Sequence, residues 1–347
     1  MTSRMRREIG QQPEALRATF DSLLPRTAEL ERLAARTRQV LFIARGSSDN
    51  AAVYGRYLVE SRTGRLATLA APSIATTYRR RIDLDGVLAV AISQSGRTEE
   101  IVQTLEWARD CGARTVAVTN GHGTPLAEAA DVALVTEAGE ELAVPATKTY
   151  TTQLAALAVL GLGLGADVDG GDLARVPDEV ERLIGAVEAA EALPMIVEEL
   201  AKVQGVVVSA RGLAFGTALE LALKLKEACY LHAMGLSYAD LLHGPIAVVD
   251  AATPAIVLGA AESPVLEGTV ALAARVVEAG ARAYGVGGGS ALADAASLAL
   301  PGPALPEWAA PLGLIVPGQV MVEHLARRLG INPDVPRGLN KVTQTGV

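Results

Sequence analysis

Short runs of Val, Ile, Leu and Ala alternate along the chain with longer stretches whose apolar positions recur at the helical period. The runs predict strands at Gln39–Ala44, Leu66–Ala70, Gly86–Ile92, Arg114–Thr119 and Val132–Val135, and again at Gly205–Ser209, Pro254–Leu258, Arg282–Gly287 and Ser297–Leu300. Between them the helical period predicts helices such as Ala51–Ser61, Glu99–Cys111, Gly216–Met234 and Pro264–Ala279. The strand runs are apolar throughout rather than alternating, as expected of strands covered on both faces in a parallel sheet. Right-handed crossovers between them give an α/β fold of open, doubly wound sheets.

The same plan occurs twice. Ala44-Arg45-Gly46 follows the first strand of one half and Ala210-Arg211-Gly212 the first strand of the other, while Gly112-Ala113-Arg114 is matched by Gly280-Ala281-Arg282. These tripeptides fall at equivalent strand and helix positions, which points to an internal duplication. The expected organisation is an N-terminal helical arm (1–29), a first domain (30–165), a linker and connector helix (166–202), a second domain (203–330) and a C-terminal tail (331–347). The Gly/Asp-rich stretch Gly161–Asp172 opens the linker, and Pro333 and Pro336 stiffen the tail, as suits a docked segment better than a frayed end.

Composition narrows the class. The 347 residues are 50% hydrophobic and 20% charged, ample to bury a core and incompatible with disorder. The length suggests two domains. The net charge of −8 argues against a general nucleic-acid binder, which needs a basic surface, yet leaves room for a locally positive pocket that takes a phosphorylated small molecule. Cys111 and Cys229 lie far apart without metal-ligand spacing, so neither a disulfide framework nor a zinc site is expected. The basic start, Met1 to Arg7, has no apolar stretch behind it, and the longest apolar run, Leu154–Ala166, is Gly-interrupted and too short for a membrane span. A cytoplasmic protein without membrane contact is expected.

Two junctions in the first half place small hydroxyl residues where a strand gives way to a helix: Gly46-Ser47-Ser48 and Ser93-Gln94-Ser95-Gly96-Arg97-Thr98. A helix N-terminus offers unpaired N–H groups and the positive end of a dipole, and so favours an anion. Hydroxyls at Ser47, Ser48, Ser93, Ser95 and Thr98 add donors, and Gly96 lets the backbone approach a ligand closely. Each hydroxyl is also a common helix N-cap, but two such loops at the carboxyl ends of neighbouring strands point to a binding crevice. Neither loop has the spacing of the familiar nucleotide motifs. The equivalent loop of the second half, Gly259–Pro264, lacks the Ser-Gln-Ser-Gly sequence, which assigns the phosphate to the first half.

In the helical segment Ala218–Cys229, Glu220, Lys224 and Glu227 fall within about 60° of one another and are bracketed by apolar faces. That stripe is either a solvated face with i,i+4 support or a carboxylate and lysine in a partly dry cleft, where a carboxylate can work as a base. His243, in Leu241-Leu242-His243-Gly244-Pro245, is a candidate acid/base. Lys341 lies in the stiffened tail.

Together these motifs resemble the double SIS (sugar isomerase) module of the isomerase half of glucosamine-6-phosphate synthase and of stand-alone glucosamine-6-phosphate deaminases. The resemblance covers nearly the whole chain: Glu8–Pro13, similar to an EIxEQP opening, then ARGSSD at 44–49, SQSGRT at 93–98, VPATKTYTTQ at 144–153, ALELALKLKEACYLHA at 218–233, LLHGP at 241–245 and NPDVPRGLNK at 332–341. It implies two tandem flavodoxin-like SIS domains.

The resemblance also assigns roles. Ser47, Ser48, Ser93, Gln94, Ser95 and Thr98 match phosphate-binding positions, and Val144 matches a backbone contact to the sugar. Glu227 matches the base that shuttles a proton between C1 and C2 of the open-chain sugar, with Glu220 and Lys224 as support on the same helix. His243 matches the ring-opening histidine, donated across a homodimer interface, and Lys341 the tail lysine that engages the ketose carbonyl. No metal or redox cofactor is implied.

This chain departs from the pattern in several places. There is no glutamine-hydrolysing domain with a terminal cysteine; Met234 stands for a glutamate, Leu242 for a lysine and Ala146 for a serine. The expected activity is therefore deamination of glucosamine 6-phosphate to fructose 6-phosphate and ammonia. The rivals are a phosphosugar isomerase or fructosamine-6-phosphate deglycase on the same loops, and a non-catalytic phosphosugar sensor.

Overall fold

Ten parallel strands in two sheets of five form the frame of the computed structural model, which describes residues 2–341. The first sheet holds β1 (Gln39–Ile43), β2 (Leu66–Leu69), β3 (Val87–Ile92), β4 (Arg114–Thr119) and β5 (Val132–Val135) in the order β2-β1-β3-β4-β5. The second holds β6 (Gly205–Ala210), β7 (His232–Ser237), β8 (Ala255–Gly259), β9 (Ala283–Gly287) and β10 (Leu298–Leu300), in the order β10-β9-β8-β6-β7. Read from β7, the second sheet repeats the first strand for strand. Gly46 and Gly212, at matching positions after β1 and β6, also share a left-handed backbone, with φ of 59° and 64°. Both findings support the internal duplication.

The chain divides into two compact units. The first sheet belongs to a unit of Glu14–Glu141, Lys148–Gly170 and the tail from Asn340; the second belongs to a unit of the residues up to Pro13, Leu142–Thr147 and Gly171–Leu339. In the first unit, Leu41, Ile43, Ala89, Ala91 and Ala117 pack against Ile101, Leu105 and Ala108 of the helix Glu99–Asp110. The helix Lys148–Gly163 is buried along nearly its whole length, and from Leu154 onward it is apolar all round. In the second unit, Val207, Ala255, Val257 and Ala283 pack against Leu272, Ala273 and Val276 of the helix Leu266–Glu278, and the long helix Pro311–Arg328 is again almost entirely buried. Strands covered on both faces explain the unbroken apolar runs: β8 and β9 are buried at every position.

One element differs from the expected pattern. The helix predicted over Gly216–Met234 ends at Cys229, where Tyr230 turns left-handed at φ 58° and donates its N–H to the Leu225 carbonyl. Residues 232–237 then form β7, an edge strand paired with β6 in the register Val207↔Met234. Among the described residues, no helix is long and apolar enough to cross a membrane, and both cysteines are free and buried.

Candidate functional site

β1 and β3 are hydrogen-bonded neighbours, with Ile43 opposite Ala91. The chain leaves β1 toward β2 on one side and returns to β3 on the other, so the sheet's topological switch point lies between them, where open α/β sheets bind ligands. The two hydroxyl-rich loops leave the carboxyl ends of these two strands. Ser47 is the first residue of the helix Ser47–Thr63, and Ser48 behind it is buried. Ser93, also buried, donates its N–H to the Val118 carbonyl. The Gln94 carbonyl accepts from Asn120 N–H, and Ser95 Oγ accepts from Arg97 N–H at 3.2 Å.

Gly96 is left-handed at φ 61°, and a Cβ there would lie 2.3 Å from Thr124 Oγ1, so only glycine fits. The N-caps of the two following helices are Gly46 and Thr98, and neither makes a side-chain capping bond. The Thr98 hydroxyl is therefore not serving as a cap of its helix. Arg45, which follows β1, pairs with Glu100 of the helix following β3 at 3.0 and 3.1 Å, tying the two junctions together. Burial pushes the Asp49 carboxyl up from its ordinary value, against the opposing charge of Arg45.

Lys341 lies in the same unit. Its ammonium contacts Glu141 Oε2 at 2.5 Å, and the Glu141 side chain is fully buried. Glu141 also accepts from Thr149 Oγ1 at 2.6 Å and Thr149 N–H at 3.2 Å, in the first turn of the helix Lys148–Gly163. Nothing in the sequence marks Glu141 as a functional residue.

In the second unit, the helix Phe215–Cys229 packs between β6, β7 and the helix Pro311–Arg328. This packing buries Glu220 and Lys224, so the charged stripe is not a fully solvated face. Lys224 Nζ lies 3.4 Å from Glu220 Oε1 and donates to Glu227 Oε2. The Glu227 side chain is 23% exposed, so one buried cation holds a buried carboxylate on one side and a solvent-reachable one on the other. His243 follows the helix Tyr238–Leu242 and donates its N–H to the Asp240 carbonyl. Its imidazole is exposed, amid exposed Leu242, Gly244, Pro245 and Val248.

Val144 is half-buried and donates its N–H to the Asp334 carbonyl at 3.0 Å. The N–H groups before it, of Leu142 and Ala143, both go to the buried carboxylate of Glu8. The Asp334 carboxylate in turn accepts from Arg4 and Met5 N–H at 2.9 and 2.8 Å, at the start of the helix Arg4–Gly10. Glu8 and Asp334 lie within the quoted motifs, but their anchoring role emerges only from the structure. At the second sheet's switch point, between β6 and β8, Ser263 Oγ donates to Glu307 at 2.8 Å. The space left beside Arg211, Ser263 and Glu307 is about 10 Å³, scarcely enough for one water.

Residues 34–162 match the family model of the SIS domain. A protein of Silicibacter pomeroyi DSS-3, described provisionally as a phosphosugar isomerase, is 31% identical, and its crystal structure matches with a TM-score of 0.85 over 96% of this chain and all of its own. This chain belongs to the SIS-domain family. Its two sheets are tandem SIS domains.

The glutamine–fructose-6-phosphate aminotransferase (isomerizing) of Pyrococcus horikoshii is 33% identical over 345 residues, 97% of this chain but 57% of that protein. The chain thus spans little more than half the length of the curated relatives it matches. The C-terminal domain of the glucosamine-fructose-6-phosphate aminotransferase of Francisella tularensis, 26% identical, matches over 97% of this chain and 99% of its own, with a TM-score of 0.83.

Proposed function

We propose that this SIS-family protein converts glucosamine 6-phosphate and water to fructose 6-phosphate and ammonia. The observation that carries the reading is Glu227: a partly exposed carboxylate fixed by a buried lysine that a second, buried carboxylate holds in turn. Such a group is oriented and reachable, as a base that moves a proton must be.

In this mechanism the phosphate docks on Ser47, Ser48, Ser93, Gln94, Ser95 and Thr98, and His243 assists opening of the sugar ring. The Val144 backbone contacts the open chain. Glu227 takes the proton from C2, acidified by the C1 aldehyde, and returns it to C1, while the C2 amine gives up one proton and the C1 oxygen gains one. C1 becomes a hydroxymethyl group, and C2 bears the imine. Lys341 engages C2 while water adds there; the water oxygen becomes the ketone oxygen, and ammonia leaves. Glu220 and Lys224 keep the base in place. Every step is proton transfer or hydration, so no redox cofactor is required.

Both cysteines of this chain are free and buried, and burial pushes the Cys229 thiol far up, so the mechanism assigns no nucleophilic role to either. A homodimer suits His243, whose imidazole is exposed among apolar neighbours in the way of a residue presented to a second copy.

The deciding experiment incubates the protein with glucosamine 6-phosphate and follows fructose 6-phosphate and ammonia together. Equal release of both, lost in Glu227→Gln with phosphosugar binding retained, is the expected result. Full turnover by Glu227→Gln removes the assigned base. Silence of the unaltered protein, with tight binding, turns the assignment to another amino-sugar phosphate, a deglycase or a sensor.

A further inference from the structure

We propose that Glu141 is the positioning residue for Lys341, a buried carboxylate that recruits the tail by its ammonium and holds that amine for the reaction. The proposal rests on the role given above to Lys341. Glu140 and Glu141 are adjacent, yet Glu140 is exposed and the Glu141 side chain is fully buried. A buried carboxylate has to be compensated, and Thr149 does part of this from the scaffold with its N–H and its hydroxyl. Both donors sit in the first turn of a 16-residue helix, whose positive end further favours the charge. Glu141 is thus fixed by its own surroundings, and Lys341 is its guest.

The ammonium supplies a charge-assisted hydrogen bond at 2.5 Å. A free lysine side chain samples many rotamers, and holding it costs up to about 2 kcal/mol. The pair meets that cost before substrate arrives, so that the amine is already ordered when the sugar binds.

The five lysines of this chain make the test internal to one sample. Lys202 and Lys226 are exposed, while Lys148 and Lys224 are buried. Acylation of the folded protein by a succinimidyl ester, followed peptide by peptide by mass spectrometry, is expected to label Lys341 about tenfold more slowly than Lys202 and Lys226. Glu141→Gln brings Lys341 to their rate, and Glu141→Asp restores part of the protection. Unchanged protection of Lys148 and Lys224 reports an intact fold. Equal labelling of Lys341, Lys202 and Lys226 in the unaltered protein overturns the proposal, whether or not the variant folds.

Turnover is read separately. Glu141→Gln lowers kcat by about tenfold and leaves KM within about twofold, with recovery in Glu141→Asp. An unchanged kcat overturns the positioning role even where labelling changes. If the unaltered protein turns over no amino-sugar phosphate, the proposed function fails while the labelling still decides the pair.

Discussion

Ser263 donates its hydroxyl to Glu307 at 2.8 Å, at the switch point of the second sheet, where the first sheet carries its serine loops instead. One copy of the duplicated plan has filled its crevice with its own carboxylate. The other keeps its serine loops there, and the Thr98 side chain caps no helix. Calorimetric titration with glucosamine 6-phosphate is therefore expected to give one site per chain, and Glu307→Gln leaves that number at one. Ser95→Ala weakens the single site by about tenfold, the worth of one hydrogen bond to a charged group. Two sites per chain would contradict the assignment of phosphate to the first copy.

Gly96→Ala puts a Cβ against Thr124 at a left-handed position. The strain is about 1–3 kcal/mol, read as a lower urea midpoint. Phosphosugar affinity falls with it, because the loop can relieve the clash only by moving Ser95 and Thr98. Stability and affinity both unchanged would show that the loop does not need this geometry.

Lys224→Met and Glu227→Gln separate support from chemistry. The first leaves Glu220, fully buried, without its cation, and costs about 3–5 kcal/mol in chemical denaturation. The second removes a charge that solvent already reaches and costs about 1 kcal/mol or less, while turnover is lost. Equal destabilisation by both variants would make Glu227 a structural partner rather than a base.

Glu199 sets an acid-side dependence of stability. Burial alone raises its carboxyl, but the Tyr284 hydroxyl at 2.6 Å and the Arg282 guanidinium at 2.9 Å outweigh burial and hold it below the ordinary glutamate range. An acid whose folded value is depressed binds its proton more readily when unfolded. Its stabilisation is therefore complete above the unfolded value, about 4.3, and is lost as pH falls through the lower, folded one. Denaturant titrations of the unaltered protein and of Glu199→Gln are expected to differ at pH 6 and to converge below about pH 4. A difference that persists undiminished into that range would show that the pair is not ionic.

The double α/β plan was legible because strands covered on both faces carry unbroken apolar runs, and the helix Phe215–Cys229 shows its charged stripe in plain spacing. β7 was not legible. His232-Ala233-Met234-Gly235 contains no β-branched residue, and the preceding helix stops at Tyr230 rather than at a glycine, so no local signal marks the change. Only pairing with β6 makes those residues a strand. Glu141 stayed hidden for a similar reason. In Gly139-Glu140-Glu141 the two carboxylates are alike in sequence, and only the first turn of the helix Lys148–Gly163 decides which is buried. Glu220 and Lys224 were legible as a stripe, but their burial depended on the packing of Pro311–Arg328.

Neither unit is one continuous stretch of chain: six residues, Leu142–Thr147, interrupt the first, and the residues up to Pro13 join the second from its far end in sequence. A duplication normally leaves two copies that a gene could part again. Here the copies have exchanged segments, and a break at residue 170 would deprive the second of the Glu8 and Val144 anchors and the first of Lys341. A chain cut at that point is therefore expected to recover both units only when the two fragments are made together and reassemble.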